Sequence, residues 1–466
     1  MVFPTIEFAA FFAIVFVISW ALQPHPGAWR PFILAASYFF YGWVDWRWVL
    51  LLVASSVVNT FCSQVIARSP SAAARKRALV AAIVFDVGLL CVFKYLGFFV
   101  TQMDDALDQV GLGSPLPLVQ VVLPIGISFF TFQAISYVVD VYRGETRAAS
   151  LMDVAILQAF FPHIVAGPIV RANELLPQLR TPRDPRGVLA GPAIFLIVGG
   201  IVKKTVIADE LARRIVDPVY SDPGAHSGAE VLLAFYGFAA QIYCDFSGYT
   251  DMAIGLALLL GYQLPQNFNR PYFALSLRDF WRRWHMTLSR WLRDYLYIPL
   301  GGSRKGRATT YRNVMITMLL GGLWHGAAWT FALWGGIHGT ALSAERFARE
   351  RFPGFRLPAW VAWLVTFHVV CVAWVFFRAP DLHTAFGVLG GLGLGGPSPL
   401  VTLPLVFLVV AAVAVQAVQR ELWRDAEAWL VARPVVLQGI AVGAVIVAAY
   451  AAVGQQGLAH FIYYQF

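Results

Sequence analysis

The stretch LGGLWHGAAWTFALWGGIHG, residues 320–339, holds His325 and His338 inside an otherwise apolar run. A run of this length can cross a bilayer as a helix. An imidazole in hydrocarbon needs a hydrogen-bond partner or a water-filled path, so ionisable residues in such segments indicate a functional site. We therefore expect the chemistry of this protein at His325.

The composition excludes a soluble globular protein. Of the 466 residues, 59% are hydrophobic and 13% are charged, against roughly 25% charged residues in soluble domains. The apolar runs are longer than the alternating segments of about ten residues that build outer-membrane barrels, so they predict helices. The expected fold is an all-α integral membrane protein that has the lipid bilayer as its surroundings.

The net charge of +9 does not predict nucleic-acid binding. The basic residues lie in short loops between apolar runs, where the positive-inside rule accounts for them. The cysteines lie far apart and lack the CxxC spacing of metal or redox sites, so we interpret them as small buried hydrophobic residues. They are Cys62, Cys91, Cys244 and Cys371.

The apolar runs predict about eleven transmembrane helices. Residues 31–64 are interrupted at Gly42, Asp45 and Arg47, which indicates two helices or one broken helix. The basic loop around residues 68–77 indicates a cytoplasmic position by the positive-inside rule. The other predicted spans are residues 1–23, 78–101, 117–139, 188–207, 229–264, 358–378, 382–400, 401–418 and 435–453.

Residues 151–170 contain Pro162, Gly167 and Pro168 and are flanked by basic loops on both sides. A full crossing would put one of these loops on the outer side, against the positive-inside rule. We predict a re-entrant hairpin, whose irregular backbone must be buried in protein or line a cavity.

Residues 265–313 form the largest polar insert, with ten Lys or Arg against Asp279 and Asp294. The positive-inside rule makes this insert cytoplasmic. Within residues 278–300, large apolar side chains recur at helical spacing and arginines alternate with them. This pattern predicts an amphipathic helix in the inner membrane interface.

His338 follows His325 by thirteen positions, about 1300° of rotation in an α-helix. In a continuous helix the two side chains would point apart, and the spacing is not that of a zinc motif, so no metal is expected. His338 is either a second polar group in the cavity or a helix-packing contact. For His325, a buried helix-to-helix linker is the alternative to a general base, a role that suits a neutral imidazole.

Three further residues are candidates from their positions alone. His285 lies in the predicted amphipathic helix, where it is either an interfacial residue with its tip in water or a functional group. Asp245 and Tyr249 lie one helical turn apart in an apolar run, where they could bind a common partner. An ion-transport role remains open from this last feature.

Six stretches give the chain its resemblance to the bacterial membrane-bound O-acyltransferases. The likeness is strongest to the members that O-acetylate alginate, cellulose, peptidoglycan or other envelope glycans, and weaker to the D-alanine exporter of teichoic-acid biosynthesis. The stretches are LPIGISFFTFQAISYVVDVYRG (123–144), FFPHIVAGPIVR (160–171), YCDFSGYTDMAIG (243–255), RDFWRRWHMTLSRWLRDYLYIPLGG (278–302), GLWHGAAWTFALWGGIHG (322–339) and WVFFRA (374–379).

The resemblance implies one domain over residues 1–466, with a catalytic core at about 117–345, in the bacterial inner membrane. It also implies re-entrant elements and a tunnel across the membrane. His325 matches the catalytic histidine of the family, and His285 matches its second signature position. The substrate-binding candidates are Asp245, Tyr249, Trp324, His338, Arg282 and Arg283.

The same resemblance implies the substrates. The donor is expected to be a cytoplasmic acyl thioester, acetyl-CoA or an acyl carrier, and no bound cofactor is expected. The acceptor is a hydroxyl of a polysaccharide or of a periplasmic, SGNH-type acetyltransferase partner. Arg282 and Arg283 would attract the donor phosphates. The alternatives are a non-enzymatic transporter or flippase of an envelope precursor, and a D-alanyl-type transfer protein.

Overall fold

The computed structural model describes residues 1, 3–111, 122–354, 356–418 and 420–453. Most of these residues are helical, and no β-strand occurs among them. They divide into two compact units. The first contains Met1–Ala190 and Leu256–Pro265, and the second contains Gly191–Gly255 and the chain from Gln266 onward.

The first unit confirms that residues 31–64 form two helices, α2 and α3, separated by the segment between Gly42 and Arg47. Of the predicted span 117–139, residues 117–121 lie outside the described part of the chain, and a helix runs from Ile127. The helices are α1 (Ile6–Leu22), α2 (Pro26–Gly42), α3 (Arg47–Arg68), α4 (Ala72–Gln109), α5 (Ile127–Arg143), α6 (Leu151–Ala159), α7 (Phe161–Ile164) and α8 (Ala172–Leu179).

The segment predicted to be re-entrant is broken and buried. Phe160 has φ −49° and ψ 108° between α6 and α7, so α6 ends at Ala159 and Pro162 lies in the first turn of α7. Residues 153–170 are all buried, as irregular backbone in a membrane protein must be. The Ser37 hydroxyl accepts a hydrogen bond from the Phe161 backbone N–H at 3.1 Å, which satisfies one of the backbone groups freed by the break.

The second unit contains all the candidate site residues. Its helices are α9 (Ala190–Ser221), α10 (Gly228–Leu259), α11 (Leu277–Trp281), α12 (Met286–Leu292), α13 (Arg307–His325), α14 (Trp329–Arg351), α15 (Ala359–Arg378), α16 (Leu382–Gly391), α17 (Leu403–Ala414), α18 (Arg420–Val431) and α19 (Val435–Val453). The predicted span 382–400 is helical only as far as Gly391, and α18 was not predicted. The first residue of α9 and the last residues of α10 belong to the first unit.

Four helices of the described chain, α3, α4, α9 and α15, are long and apolar enough to cross a membrane. Several of their large apolar side chains are exposed, among them Phe61, Val84 and Trp360. A surface of exposed large apolar side chains is stable in contact with lipid tails. The structure thus agrees with the composition that this is a helical membrane protein.

The run 320–339 is not one helix. α13 ends at His325, and α14 begins at Trp329 after a turn in which Gly326 (φ −160°, ψ 154°) is extended. The prediction of a single spanning helix here was wrong, because hydrophobicity does not distinguish one long helix from a hairpin of two. His325 therefore lies at the tip of a helical hairpin.

Glycines allow the two arms of this hairpin to pack closely. A Cβ atom on Gly322 would lie 2.2 Å from the Phe331 carbonyl oxygen, and one on Gly335 would lie 2.3 Å from the Met318 carbonyl oxygen. At the turn, a Cβ on Gly326 would lie 2.0 Å from the Phe331 ring. Only glycine permits backbones to approach this closely, so these glycines support the hairpin.

The predicted amphipathic helix over 278–300 is also wrong as a single element. It contains α11 and α12, joined by a turn that ends at His285 in the left-handed region (φ 41°, ψ 56°), and a π-helical turn at Arg293–Tyr297 follows α12. Asn267 explains the break, because its backbone oxygen accepts from the Met286 N–H at 2.9 Å and its side-chain oxygen accepts from the Thr287 N–H at 3.2 Å. These bonds satisfy two of the four free N–H groups at the start of α12.

Candidate active site

His325 is the last residue of α13 and is 4% exposed. Its imidazole is enclosed by aromatic rings: the centroids of Trp324, Trp334 and Phe377 lie 4.9, 5.1 and 5.1 Å from its own. All three contacts are edge-to-face, the arrangement that aromatic quadrupoles favour. Neighbouring α13, α14 and α15 thus fix the ring in an apolar cage.

His285 is completely buried, so the alternative of an interfacial histidine with its tip in water is wrong. Its ring lies 4.7 Å from that of Phe246 on α10 and 6.0 Å from that of Trp324. The His285 and His325 centroids are 6.5 Å apart. The turn that carries His285 lies outside the candidate spanning helices, and burial lowers the pKa of its imidazole to about 3, so the ring is neutral at physiological pH.

The backbone of His285 is strained. His285 and Arg270 are the non-glycine residues with positive φ in the described chain, a conformation that side chains with a Cβ disfavour. Such strain persists where the surrounding structure imposes it, and it concentrates at functional sites. Here it directs the imidazole inward, where it faces Phe246, Trp324 and His325.

His338 lies on α14 one helical turn after Trp334 and is 0% exposed. Its ring centroid is 4.8 Å from that of Trp334, which also contacts His325. His325 and His338 would point apart only in a continuous helix. Because the chain turns at Gly326, both imidazoles pack against the same indole.

Asp245 and Tyr249 do have a common partner, Lys204. The Lys204 Nζ lies 2.6 Å from the Asp245 Oδ1 and 5.6 Å from the centroid of the Tyr249 ring. It also lies 2.8 Å from the Asp209 Oδ1. All three ionic side chains are buried, so this cluster joins α9 to α10. Sequence reasoning missed Lys204, although a lysine pair at 203–204 inside an apolar run was the available signal.

The two arginines expected to attract phosphates lie in the turn between α11 and α12. Arg282 is exposed. The Arg283 Nε donates to the Asp279 Oδ1 at 2.9 Å, and its side chain is 30% exposed. The turn that positions His285 thus also carries accessible positive charge.

Two neighbouring imidazoles in an apolar enclosure can act on one small reacting group. One can accept a proton from a hydroxyl, while the other donates a hydrogen bond to developing negative charge. Such an enclosure in a helical membrane protein can therefore support histidine acid–base chemistry.

Comparison with known proteins gives the class of this enzyme. Residues 142–379 match the model of the MBOAT, membrane-bound O-acyltransferase family. The chain belongs to this family and is an O-acyltransferase. The matched range contains every candidate site residue predicted from the sequence.

The chain is similar to several relatives whose names state an activity. The chain is 42% identical over 358 residues to the probable alginate O-acetylase AlgI of Pseudomonas aeruginosa, which covers 76% of this chain and 68% of that protein. It is 39% identical over 399 residues to the peptidoglycan O-acetyltransferase of Helicobacter pylori. This match covers 78% of this chain and 74% of that protein. It is 26% identical over 277 residues to the teichoic acid D-alanyltransferase of Bacillus subtilis. This match covers 56% of this chain and 69% of that protein.

Proposed function

We propose that this protein moves an acetyl group from a cytoplasmic thioester, acetyl-CoA, to a hydroxyl of an exopolysaccharide or cell-envelope glycan. The observation that carries the proposal is the 6.5 Å separation of the His285 and His325 rings inside an aromatic enclosure. A proton acceptor and a hydrogen-bond donor at this separation suit attack of a hydroxyl on a thioester.

His325 is the general base in this mechanism. It takes the proton of the acceptor hydroxyl as the oxygen attacks the thioester carbon, and it returns that proton to the departing thiolate. His285 is neutral and has a donor N–H, so it can orient the thioester or stabilise the developing oxyanion. Trp324 packs against both imidazoles, so it would line the substrate position.

The donor approaches from the cytoplasmic side, where Arg282 and Arg283 attract its phosphates. About eleven transmembrane helices surround a tunnel that leads the acetyl group to His325, and the protein is a multi-pass component of the inner membrane. The acceptor enters from the outer side, either as the glycan itself or as a periplasmic acetyltransferase partner. Substrate contact by Asp245 and Tyr249 stays a prediction, since both contact Lys204.

The names of the relatives support a glycan acceptor. One relative is named for acetylation of alginate and another for acetylation of peptidoglycan. A D-alanyl group is the second candidate, because a relative with 26% identity is named a teichoic acid D-alanyltransferase. Membership of an acyltransferase family favours both over a transporter or flippase.

The test uses the purified full-length protein in lipid nanodiscs with radiolabelled acetyl-CoA and either alginate or peptidoglycan. We expect label in the polymer with wild-type protein and none with His325→Ala. A parallel reaction with a D-alanyl thioester distinguishes the second candidate. Uptake of an intact solute into proteoliposomes, without label transfer from either donor, would overturn the proposal.

A further inference from the structure

Three rings that contact one another carry buried nitrogen atoms without a hydrogen-bond partner in the described chain. They belong to Trp281 (Nε1), Trp334 (Nε1) and His338 (Nδ1 and Nε2). The centroids lie 5.8 Å apart for Trp281 and Trp334, 5.1 Å for Trp281 and His338, and 4.8 Å for Trp334 and His338. The three rings thus form one compact cluster on α11 and α14.

Packing alone does not explain this cluster. Buried polar groups in native proteins are almost always hydrogen-bonded, because an unsatisfied donor loses its bond to water and gains nothing in return. Phenylalanine or leucine would fill the same space without that cost. Four unsatisfied nitrogens on three touching rings indicate a site for a polar atom that arrives with a substrate.

The chemistry of the nitrogens limits what this atom can be. An indole N–H only donates, and a neutral imidazole has one donor and one acceptor. The cluster therefore offers three donors against one acceptor and suits an oxygen with two free lone pairs, such as a carbonyl. The cluster lies beside the proposed general base, because the Trp334 ring is also 5.1 Å from that of His325.

We propose that Trp281, Trp334 and His338 bind the carbonyl oxygen of the acyl thioester and stabilise the oxyanion that forms when the hydroxyl attacks. This rests on the proposed function. It makes Trp334 a catalytic residue whose N–H acts in addition to the hydrogen-bond donor proposed for His285.

The acceptor oxygen bonds to the carbonyl carbon as its proton moves to His325, and the carbonyl π electrons move to the oxygen, which becomes the oxyanion. The indole N–H groups stabilise that charge. When the carbonyl re-forms, the carbon–sulfur bond breaks, and the thiolate takes the proton from the His325 imidazolium.

The first measurement is kinetic and uses Trp334→Phe and Trp281→Phe, which keep an aromatic ring and remove only the indole N–H. We expect Trp334→Phe to lower kcat by about 100-fold, the effect of losing one oxyanion donor, with KM for acetyl-CoA nearly unchanged. His338→Gln, which keeps a donor, should retain more activity than His338→Leu. Trp363→Phe is the matched control, since Trp363 lies outside the cluster and donates to the Tyr272 carbonyl.

The second measurement does not depend on turnover. Acetyl-CoA labelled with carbon-13 at the carbonyl is bound to His325→Ala protein, which leaves the thioester intact, and its carbonyl stretch is recorded by difference infrared spectroscopy. A second substitution, Trp334→Phe, in the His325→Ala protein should move the carbonyl band to higher wavenumber, because the carbonyl oxygen loses a hydrogen bond. Trp363→Phe in the same protein should leave the band unchanged. Only variants that elute as a single species in gel filtration are compared.

The outcomes separate the two proposals. If the wild type transfers acetyl but Trp334→Phe changes neither kcat nor the carbonyl band, the donor site is refuted and the proposed function stands. If Trp334→Phe raises only the KM for the acceptor, the cluster binds the acceptor hydroxyl, which also refutes the donor site. If the wild type transfers no acetyl group and the band still depends on Trp334, the carbonyl site stands and the proposed function fails.

Discussion

The imidazole rings of His285 and His325 lie 6.5 Å apart, although forty positions separate them in the chain. Each residue lies where a helix meets irregular backbone: His325 ends α13, and His285 precedes α12. The backbone next to a residue at a helix end can leave the helical path and so change the direction of its side chain. The backbone around a residue in mid-helix cannot. The two boundaries, one at a hairpin tip and one in a strained turn, bring the rings together.

His325→Ala is expected to abolish acyl transfer and leave membrane insertion unchanged. Loss of a general base costs about 10²–10⁴-fold in rate, and the small alanine side chain leaves the cage of Trp324, Trp334 and Phe377 intact. Glycan acetylation in cells and membrane fractionation measure the two effects. Full acetylation by this variant would refute the role of His325 as base.

His285→Asn is expected to fold and to retain more activity than His285→Leu. Asparagine tolerates positive φ better than other non-glycine residues and keeps a hydrogen-bond donor, whereas leucine adds strain and removes the donor. Because the lowered pKa of His285, about 3, keeps the ring neutral above that pH, neither variant should change the shape of the kcat profile between pH 5 and 8. A titration in that range that disappears with His285 would contradict this.

Gly322→Ala is expected to destabilise the hairpin of α13 and α14. The new Cβ would lie 2.2 Å from the Phe331 carbonyl oxygen, and relief of such overpacking costs about 1–3 kcal/mol. Gly336→Ala is the matched control on the same hairpin, since its Cβ would meet nothing closer than 3.9 Å. Thermal unfolding in detergent should show a lower Tm for the first variant alone; equal Tm values would mean that the close approach does not matter.

Lys204→Met is expected to destabilise the protein strongly. It leaves the carboxylates of Asp209 and Asp245 buried without the cation that bridges them at 2.8 and 2.6 Å, and breaking a buried ion pair costs about 3–5 kcal/mol. Arg214→Ala breaks the Glu210 pair, in which the arginine is 67% exposed, and should cost less than about 1 kcal/mol. The free energy of unfolding is measured for both variants. Equal losses would show that burial of the Lys204 cluster does not increase its contribution to stability.

The sequence predicted the class of fold well and its breaks unevenly. Length and hydrophobicity predicted the helices, and Gly42, Asp45 and Arg47 correctly indicated a break between α2 and α3. The same reasoning missed the turn at Gly326, because glycine and alanine there are as apolar as their neighbours. It also missed the break before His285. The backbone hydrogen bonds that fix this break are accepted by Asn267, which lies about twenty positions upstream.

By itself the sequence determined that this is a helical membrane protein, since no soluble core could bury so much apolar surface, and its motifs singled out His285 and His325. The tertiary structure alone decided which groups meet. It brought the two imidazoles together, set His338 and His325 against the same indole, and gave Asp245 and Tyr249 a shared lysine. The reason is physical: side-chain type and spacing are local properties, whereas proximity depends on where distant segments turn and which backbones can approach closely.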